Sequence, residues 1–230
     1  MTQATKKTGA EKMGVREAYV GEYASGKSEC AINRAISLRG QGEQVTLVDL
    51  DLVEPFYTLR PLKEELEALG LTIVAWNRRE APGPGEAGNI LLPAARFALL
   101  QTGHVVLDVG CGAHGGRVLN LLEGYPHPDL RVYVVVNTAR PLTATTAKIV
   151  EFVRTFDRVD GLINNSHLGD DTGLEVIRRG ARIVGAAARV LQVPVVATAA
   201  EERFRDALGG RDRQGFPVLY LSRFMKKAYW

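Results

Sequence analysis

Eight short runs of β-branched and aliphatic residues recur along the chain, separated by segments with apolar residues at helical spacing. The runs are Glu17–Val20, Gln44–Val48, Leu71–Trp76, His104–Asp108, Arg131–Asn137, Gly161–Asn164, Val193–Thr198 and Pro217–Leu221. Several are almost wholly apolar, as strands buried on both faces must be, and strands alternating with helices predict parallel pairing with crossover helices. The expected fold is α/β: a mostly parallel sheet of about seven or eight strands with helices on both faces, a three-layer sandwich.

Punctuation between the runs supports this. Gly40 is placed to cap a helix that begins near Lys27 and carries Ile32, Ala35 and Ile36 on one face. Pro61 can open a helix bearing Leu62, Leu66 and Leu69, which Gly70 stops. Thr172-Gly173-Leu174-Glu175 has capping-box spacing, and Leu174, Ile177, Ala181, Val184, Ala188 and Leu191 then follow at helical intervals. Residues 1–14 are polar and aperiodic and are expected to be a disordered tail, leaving 15–230 as a single domain. The segment 78–89 (RREAPGPGEAGN) has no periodicity; it reads either as a plain connector or as a lid or partner-contact loop.

The 46% apolar and 24% charged residues exclude a disordered, coiled-coil or collagen-like chain. No apolar run approaches the ~18 residues of a membrane-spanning helix, and the start lacks a secretion signal, so a cytoplasmic protein is expected. A net charge of +3, from 29 basic and 26 acidic residues, gives no strong sign of nucleic-acid binding. Cys30 and Cys111 are too few for a structural zinc site. Cys30 reads as core, and Cys111, with His114 nearby, as a small residue in a tight loop.

Gly21-Glu22-Tyr23-Ala24-Ser25-Gly26-Lys27-Ser28 has the form G-x-x-x-x-G-K-[S/T], preceded by a strand run and followed by an amphipathic helix. Backbone N–H groups turned inward can cradle phosphate oxygens there, and glycine clears their approach. In this P-loop reading Lys27 supplies a charge to the β- and γ-phosphates, and the Ser28 hydroxyl ligates magnesium. Glu29, the next residue into the helix, joins the expected nucleotide-binding set. Such a site needs carboxylates at strand ends. Asp49 and Asp51 follow the second run, and Asp108 ends the fourth. Asp108 leads into Gly110-Cys111-Gly112-Ala113-His114-Gly115-Gly116, which reads as a switch loop or as an ordinary strand-to-helix turn.

The runs GEYASGKS, VTLVDLDLVEPFY, VVLDVG and GLINNSHLG together resemble the CobQ/CobB/MinD/ParA group of P-loop ATPases, closest to its compact stand-alone members. The resemblance spans roughly Tyr19 to Leu221. It implies ATP and magnesium as ligands, with slow hydrolysis often controlled by a homodimer or a protein partner. Carried over by position, Asp51 orients the attacking water and, with Asp49, Asp108 and Ser28, belongs to the magnesium shell. Asn164 matches the asparagine that contacts adenine, with Asn165 the adjacent alternative; without the resemblance, the pair reads as a turn. Where the ParA/MinD subgroup has a lysine that reaches a partner's nucleotide, this chain has Glu22. Gly161–His167 lacks the lysine–aspartate pair of guanine-specific relatives, which favours ATP over GTP.

The expected function is therefore a magnesium-dependent ATPase that switches a protein partner or serves cofactor or metal-centre assembly, with Lys27 and Asp51 catalytic. A small-molecule kinase or ligase, and a MinD/ParA-like positioning ATPase, are the alternatives. The tail 223–230, basic and aromatic, reads as packing or partner contact rather than membrane attachment.

Overall fold

The computed structural model describes residues 14–52, 59–76 and 91–225. The segment 78–89, the residues 53–57 of the resembling motif and the tail end 226–230 lie outside them. All eight expected strands form: β1 (Arg16–Gly21), β2 (Val45–Leu50), β3 (Thr72–Val74), β4 (His104–Val109), β5 (Leu130–Val136), β6 (Gly161–Asn164), β7 (Val195–Glu201) and β8 (Val218–Leu221). They make one sheet in the order β3-β2-β4-β1-β5-β6-β7-β8, every pair parallel.

The helices are α1 (Lys27–Gly40), α2 (Lys63–Ala68), α3 (Pro93–Arg96), α4 (Gly112–Gly116), α5 (Thr146–Val153), α6 (Leu174–Leu191) and α7 (Arg205–Leu208). Ile32, Ala35 and Leu38 of α1 and Leu66 of α2 pack on one face of the sheet with Leu47, Val106 and Val135. Ala95, Ile149, Val153, Val184 and Ala188 pack on the other with Leu107, Val134 and Leu162. Alternate residues of one strand thus feed opposite cores, which is why these strands read as continuous apolar runs.

Two helix boundaries differ from expectation. Gly40 stays within α1; the left-handed residue is Gly42 (φ 86°), whose N–H reaches Arg39 O at 2.9 Å. Thr172 does not cap α6. Its hydroxyl accepts from Leu168 N (2.9 Å) and lies 2.5 Å from Gly169 O, closing the preceding turn, and Gly173 takes the N-cap position. Gly70 does stop its helix, at φ 85°.

α6 approaches the end of β6 closely. A Cβ at Gly180 would lie 2.1 Å from Ser166 Oγ and 2.6 Å from Asn164 Oδ1. Gly180→Ala is expected to cost about 1–3 kcal/mol by overpacking. At roughly 2–4 °C per kcal/mol for a domain of this size, the loss is read directly as a lowered melting temperature.

Candidate functional site

Because every strand is parallel, the carboxyl ends of β1, β2, β4, β6, β7 and β8 lie along one edge. The connections from β1 and β5 run to opposite sides of the sheet, and ligands of open α/β sheets gather at such a point. The turn from β1 into α1 occupies it. Ala24 and Gly26 both adopt left-handed backbone, at φ 55° and 84°. Gly26 is also held by space, since a Cβ there would lie 2.1 Å from Asn165 Nδ2. A Cβ on Gly21 would meet Val135 O at 2.5 Å and Ser25 Oγ at 2.7 Å. Asn165 Nδ2 donates to Ser25 O at 2.8 Å, which ties the turn to the end of β6.

Lys27 and Asp108 are buried at the foot of this turn. Asp49 and Asp108 stand opposite each other in the β2–β4 register. Asp108 is 1% exposed, and neither carboxylate oxygen has a donor in hydrogen-bond geometry, although Lys27 and Ser28 lie beside it. Burial pushes its carboxyl up to about 8 against the pull of Lys27 and Ser28, with the charges of Asp49 and Asp51 adding to the rise. Ser25 Oγ is likewise buried without a partner. Orphaned buried oxygens are costly, and an ion or phosphate is the kind of group that satisfies them. The residues therefore fit magnesium with a phosphate chain. Among the described residues, no three His, Cys, Asp or Glu side chains are close enough to hold a metal unaided. Magnesium bound to a nucleotide takes only one or two protein ligands, the rest being phosphate and water.

Asp49 is placed differently from expectation. Its Oδ1 accepts from Asp51 N (3.0 Å), and its Oδ2 pairs with Arg60 Nε (3.3 Å) in a contact almost closed to solvent. Arg60 Nη2 also reaches Asp51 O at 3.4 Å. The carboxylate expected in the magnesium shell is thus engaged by a guanidinium that sequence reasoning missed. Asp51 remains half-buried, with Oδ1 3.0 Å from where a Gly110 Cβ would stand. The glycine run after Asp108 folds into α4, Gly115 packing so tightly on Gly110 that a Cβ there would lie 2.0 Å from Gly110 O.

Three members of the expected nucleotide set are otherwise committed. The Glu22 carboxylate accepts from Leu142 N (3.1 Å) and from the Thr143 hydroxyl (2.9 Å), a buried latch onto the segment after β5. Glu29 accepts from the amides of Phe224 and Met225. Asn164 is wholly buried: its Nδ2 donates to Ile177 O (3.2 Å) and Thr198 Oγ1 (3.3 Å), and its Oδ1 accepts from the Ser166 hydroxyl (2.7 Å). It has no face left for a base. Asn165, not Asn164, lines open space. The side chain of Tyr23 is exposed.

That open space is a small, partly open cleft beside the turn, on the side away from Asp108. Gly26, Glu29, Asn165, His167, Thr172, Glu201 and Arg223 supply its polar wall, and Ile177, Ala199, Ala200 and Leu221 its apolar one. Burial, with the charges of Arg140 and Arg223, pushes the His167 imidazole down to about 4, so it is neutral near pH 7. Of these residues the expected nucleotide-binding set holds Gly26, Glu29 and Asn165.

No family model matches the chain, and no curated protein sequence matches it. Solved structures do. The signal recognition particle receptor FtsY from Elizabethkingia anophelis, in complex with GDP, superposes with a TM-score of 0.57 at 16% identity, covering 85% of this chain and 59% of that one. FtsY from Thermotoga maritima gives 0.53 at 17% identity, covering 84% and 66%. The chain thus spans about 59% of the first relative's length. The likeness establishes an α/β P-loop NTPase fold, and both relatives are FtsY proteins rather than members of the CobQ/CobB/MinD/ParA group.

The raised Asp108 carboxyl has a consequence for stability. The folded state holds its proton more tightly than the ordinary value of 3.8 allows, so this contribution is full below about pH 4 and is lost as pH rises toward about 8. Thermal melts without metal or nucleotide are expected to fall across that window, and Asp108→Asn, uncharged throughout, to flatten the fall.

Proposed function

We propose that this chain binds a magnesium–nucleoside triphosphate and hydrolyses it slowly, acting as a switch for a protein partner or for cofactor or metal-centre assembly. The observation that carries this reading is the buried Asp108 carboxylate, without a donor, beside Lys27 and Ser28 at the foot of a glycine-shaped turn. An ordinary strand-to-helix turn has no use for an unsatisfied buried carboxylate. The phosphates would lie along the N–H groups of Gly21–Ser28, with the terminal phosphate toward Asp108 and Asp51 and the base toward the cleft.

Ser28 would hold magnesium, with Asp108 behind it in the shell; the ion, when bound, neutralises charge on the β- and γ-oxygens. Lys27, buried and adjacent, holds positive charge against the transferring group. Asp51, half-buried at the open end of β2, would orient the attacking water. Asp49 keeps Arg60 in place beside Asp51 rather than joining the metal.

The missing lysine–aspartate pair in Gly161–His167 favours ATP. GTP is the second reading, because the FtsY relative from Elizabethkingia anophelis is in complex with GDP. Among the described residues no helix is long and apolar enough to cross a membrane. A protein partner or a second copy would act on the triphosphate edge, which is the part of the chain that hydrolysis alters.

Hydrolysis with magnesium and either ATP or GTP tests the reading. Lys27→Ala is expected to lower kcat/KM by about 10²–10³-fold, the scale of losing one charge-stabilising donor. Asp51→Asn should lower kcat while nucleotide affinity persists, because the interaction it removes belongs to the reacting state. Turnover unchanged in Lys27→Ala would overturn the proposal, and a lower KM for GTP than for ATP would select the second reading.

A further inference from the structure

One wall of the cleft is not part of the sheet. After β8 ends at Leu221 the chain turns back over α1, and residues 222–225 are held there by side chains. Glu29 lies in the first turn of α1, two residues beyond Lys27. Its carboxylate accepts from Phe224 N at 3.0 and 3.1 Å and from Met225 N at 2.7 Å. Asn33, one turn further, pairs reciprocally with Ser222: Oδ1 accepts from its N–H (2.8 Å) and Nδ2 donates to its carbonyl (2.9 Å). On the opposite rim Arg223 is paired with Asp170, in the connection between β6 and α6. The pinned segment therefore bridges the helix that carries the phosphate turn and the connection that follows Asn165. Arg223 faces the cleft from it, next to Leu221 at the end of β8.

A carboxylate in the first turn of α1 is itself favoured by the helix dipole. That alone would leave Glu29 turned to solvent. Instead the side chain is half-buried, and burial raises its carboxyl while the amides of Met225 and Phe224 and the charge of Arg223 pull it back. The cost of burying that charge is met only while residues 224–225 are seated.

We propose that Glu29 and Asn33 are positioning residues for nucleotide binding: they seat residues 222–225, so that Arg223 completes, beside Leu221 of β8, the wall against which the base rests. This rests on the reading above that the cleft takes the base. Seating and occupancy are then coupled, each favouring the other by the same factor. The nucleotide orders the C-terminal segment, and loosening that segment weakens the nucleotide. Hydrolysis itself, at the Asp51–Asp108 end, does not depend on the segment. A merely structural role for Glu29 and Asn33 would lower stability and leave nucleotide affinity alone.

The test uses the full chain with magnesium and ATP or GTP, reading Kd, KM and kcat together with hydrogen exchange at the amides of Phe224 and Met225. Nucleotide is expected to slow exchange at both amides in the wild type. Asn33 lies outside the cleft and Glu29 lines it, so Asn33→Ala is the decisive variant; it and Glu29→Ala should both speed that exchange. Both should raise Kd and KM by about 5–150-fold, the usual range of coupling between sites, with kcat unchanged. Glu29→Gln, whose amide oxygen still accepts from the two N–H groups, should recover most of the affinity and keeps the test intact if a harsher variant fails to fold. Variants that free the 224–225 amides yet bind nucleotide as the wild type does would overturn the proposal. So would a loss of affinity with those amides still protected. A wild type that binds no nucleotide at all would remove the reading on which both proposals stand, and is distinguished by that first measurement.

Discussion

An all-parallel sheet must send every chain connection from one edge back to the other, so all the strand carboxyl ends share an edge. That constraint assembles this site. Gly21, Asp49, Asp108, Asn164, Glu201 and Leu221 are scattered over two hundred residues, yet each ends or nearly ends a strand. The central position of β1, between β4 and β5, sets the division of labour. To one side stand β4 and β2 with their carboxylates, and to the other β6, β7 and β8 with the cleft. The turn after β1 is where the two halves meet.

Around that turn, buried polar groups are answered locally almost everywhere. Arg16 is enclosed by the carbonyls of Gly14, Leu99 and Gln101, each at 2.8 Å. Glu17 takes both arms of Arg34 and the Tyr19 hydroxyl. Asn164 is surrounded by Ile177, Thr198 and Ser166. Against this background the unanswered oxygens of Asp108 and Ser25 stand out. Among the described residues only Arg140 Nε and Arg178 Nε are buried in the same way, and neither belongs to the turn after β1; a bound ion with phosphates is the kind of ligand that relieves the orphaned oxygens of Asp108 and Ser25.

The strands were legible because burial on both faces leaves its mark on composition alone: Val105-Val106-Leu107 or Val132 to Val136 admit no polar position that would suggest otherwise. The shape of the turn after β1 was legible because its glycines are required by left-handed backbone and close approach. What the sequence hid were choices between neighbours and contacts across distance. Asn164 and Asn165 carry the same side chain and both are buried, and only strand alternation, with Asn164 turned into the core against α6, separates it from Asn165, which lines the cleft. Thr172 had the spacing of a cap but found nearer partners in its own turn. Arg60 belongs to no periodic pattern, so its pairing with Asp49 could not be read before β2 and the turn before α2 were placed together. Glu29 is adjacent to the turn in sequence and lines the cleft, but its hydrogen bonds to the amides of residues 224 and 225 could not be read from that adjacency.

Glu22 shows how one position changes the logic of the turn. In the subgroup that the motif resembles, a lysine there reaches outward to a second subunit. Here the carboxylate is turned inward, accepting from Leu142 N and the Thr143 hydroxyl, and is closed to solvent. A lysine has no acceptor to offer either donor, so the latch and the outward lysine exclude each other. The latch joins the phosphate turn to the segment after β5, and Asn165 joins the same turn to the end of β6. Held from both sides within one chain, the turn has its left-handed residues fixed before any ligand or partner arrives. On the proposed reading, a turn preorganised in that way would need no second copy to shape it, and a partner would act at the other end, where Asp51 stands half-buried beside Gly110.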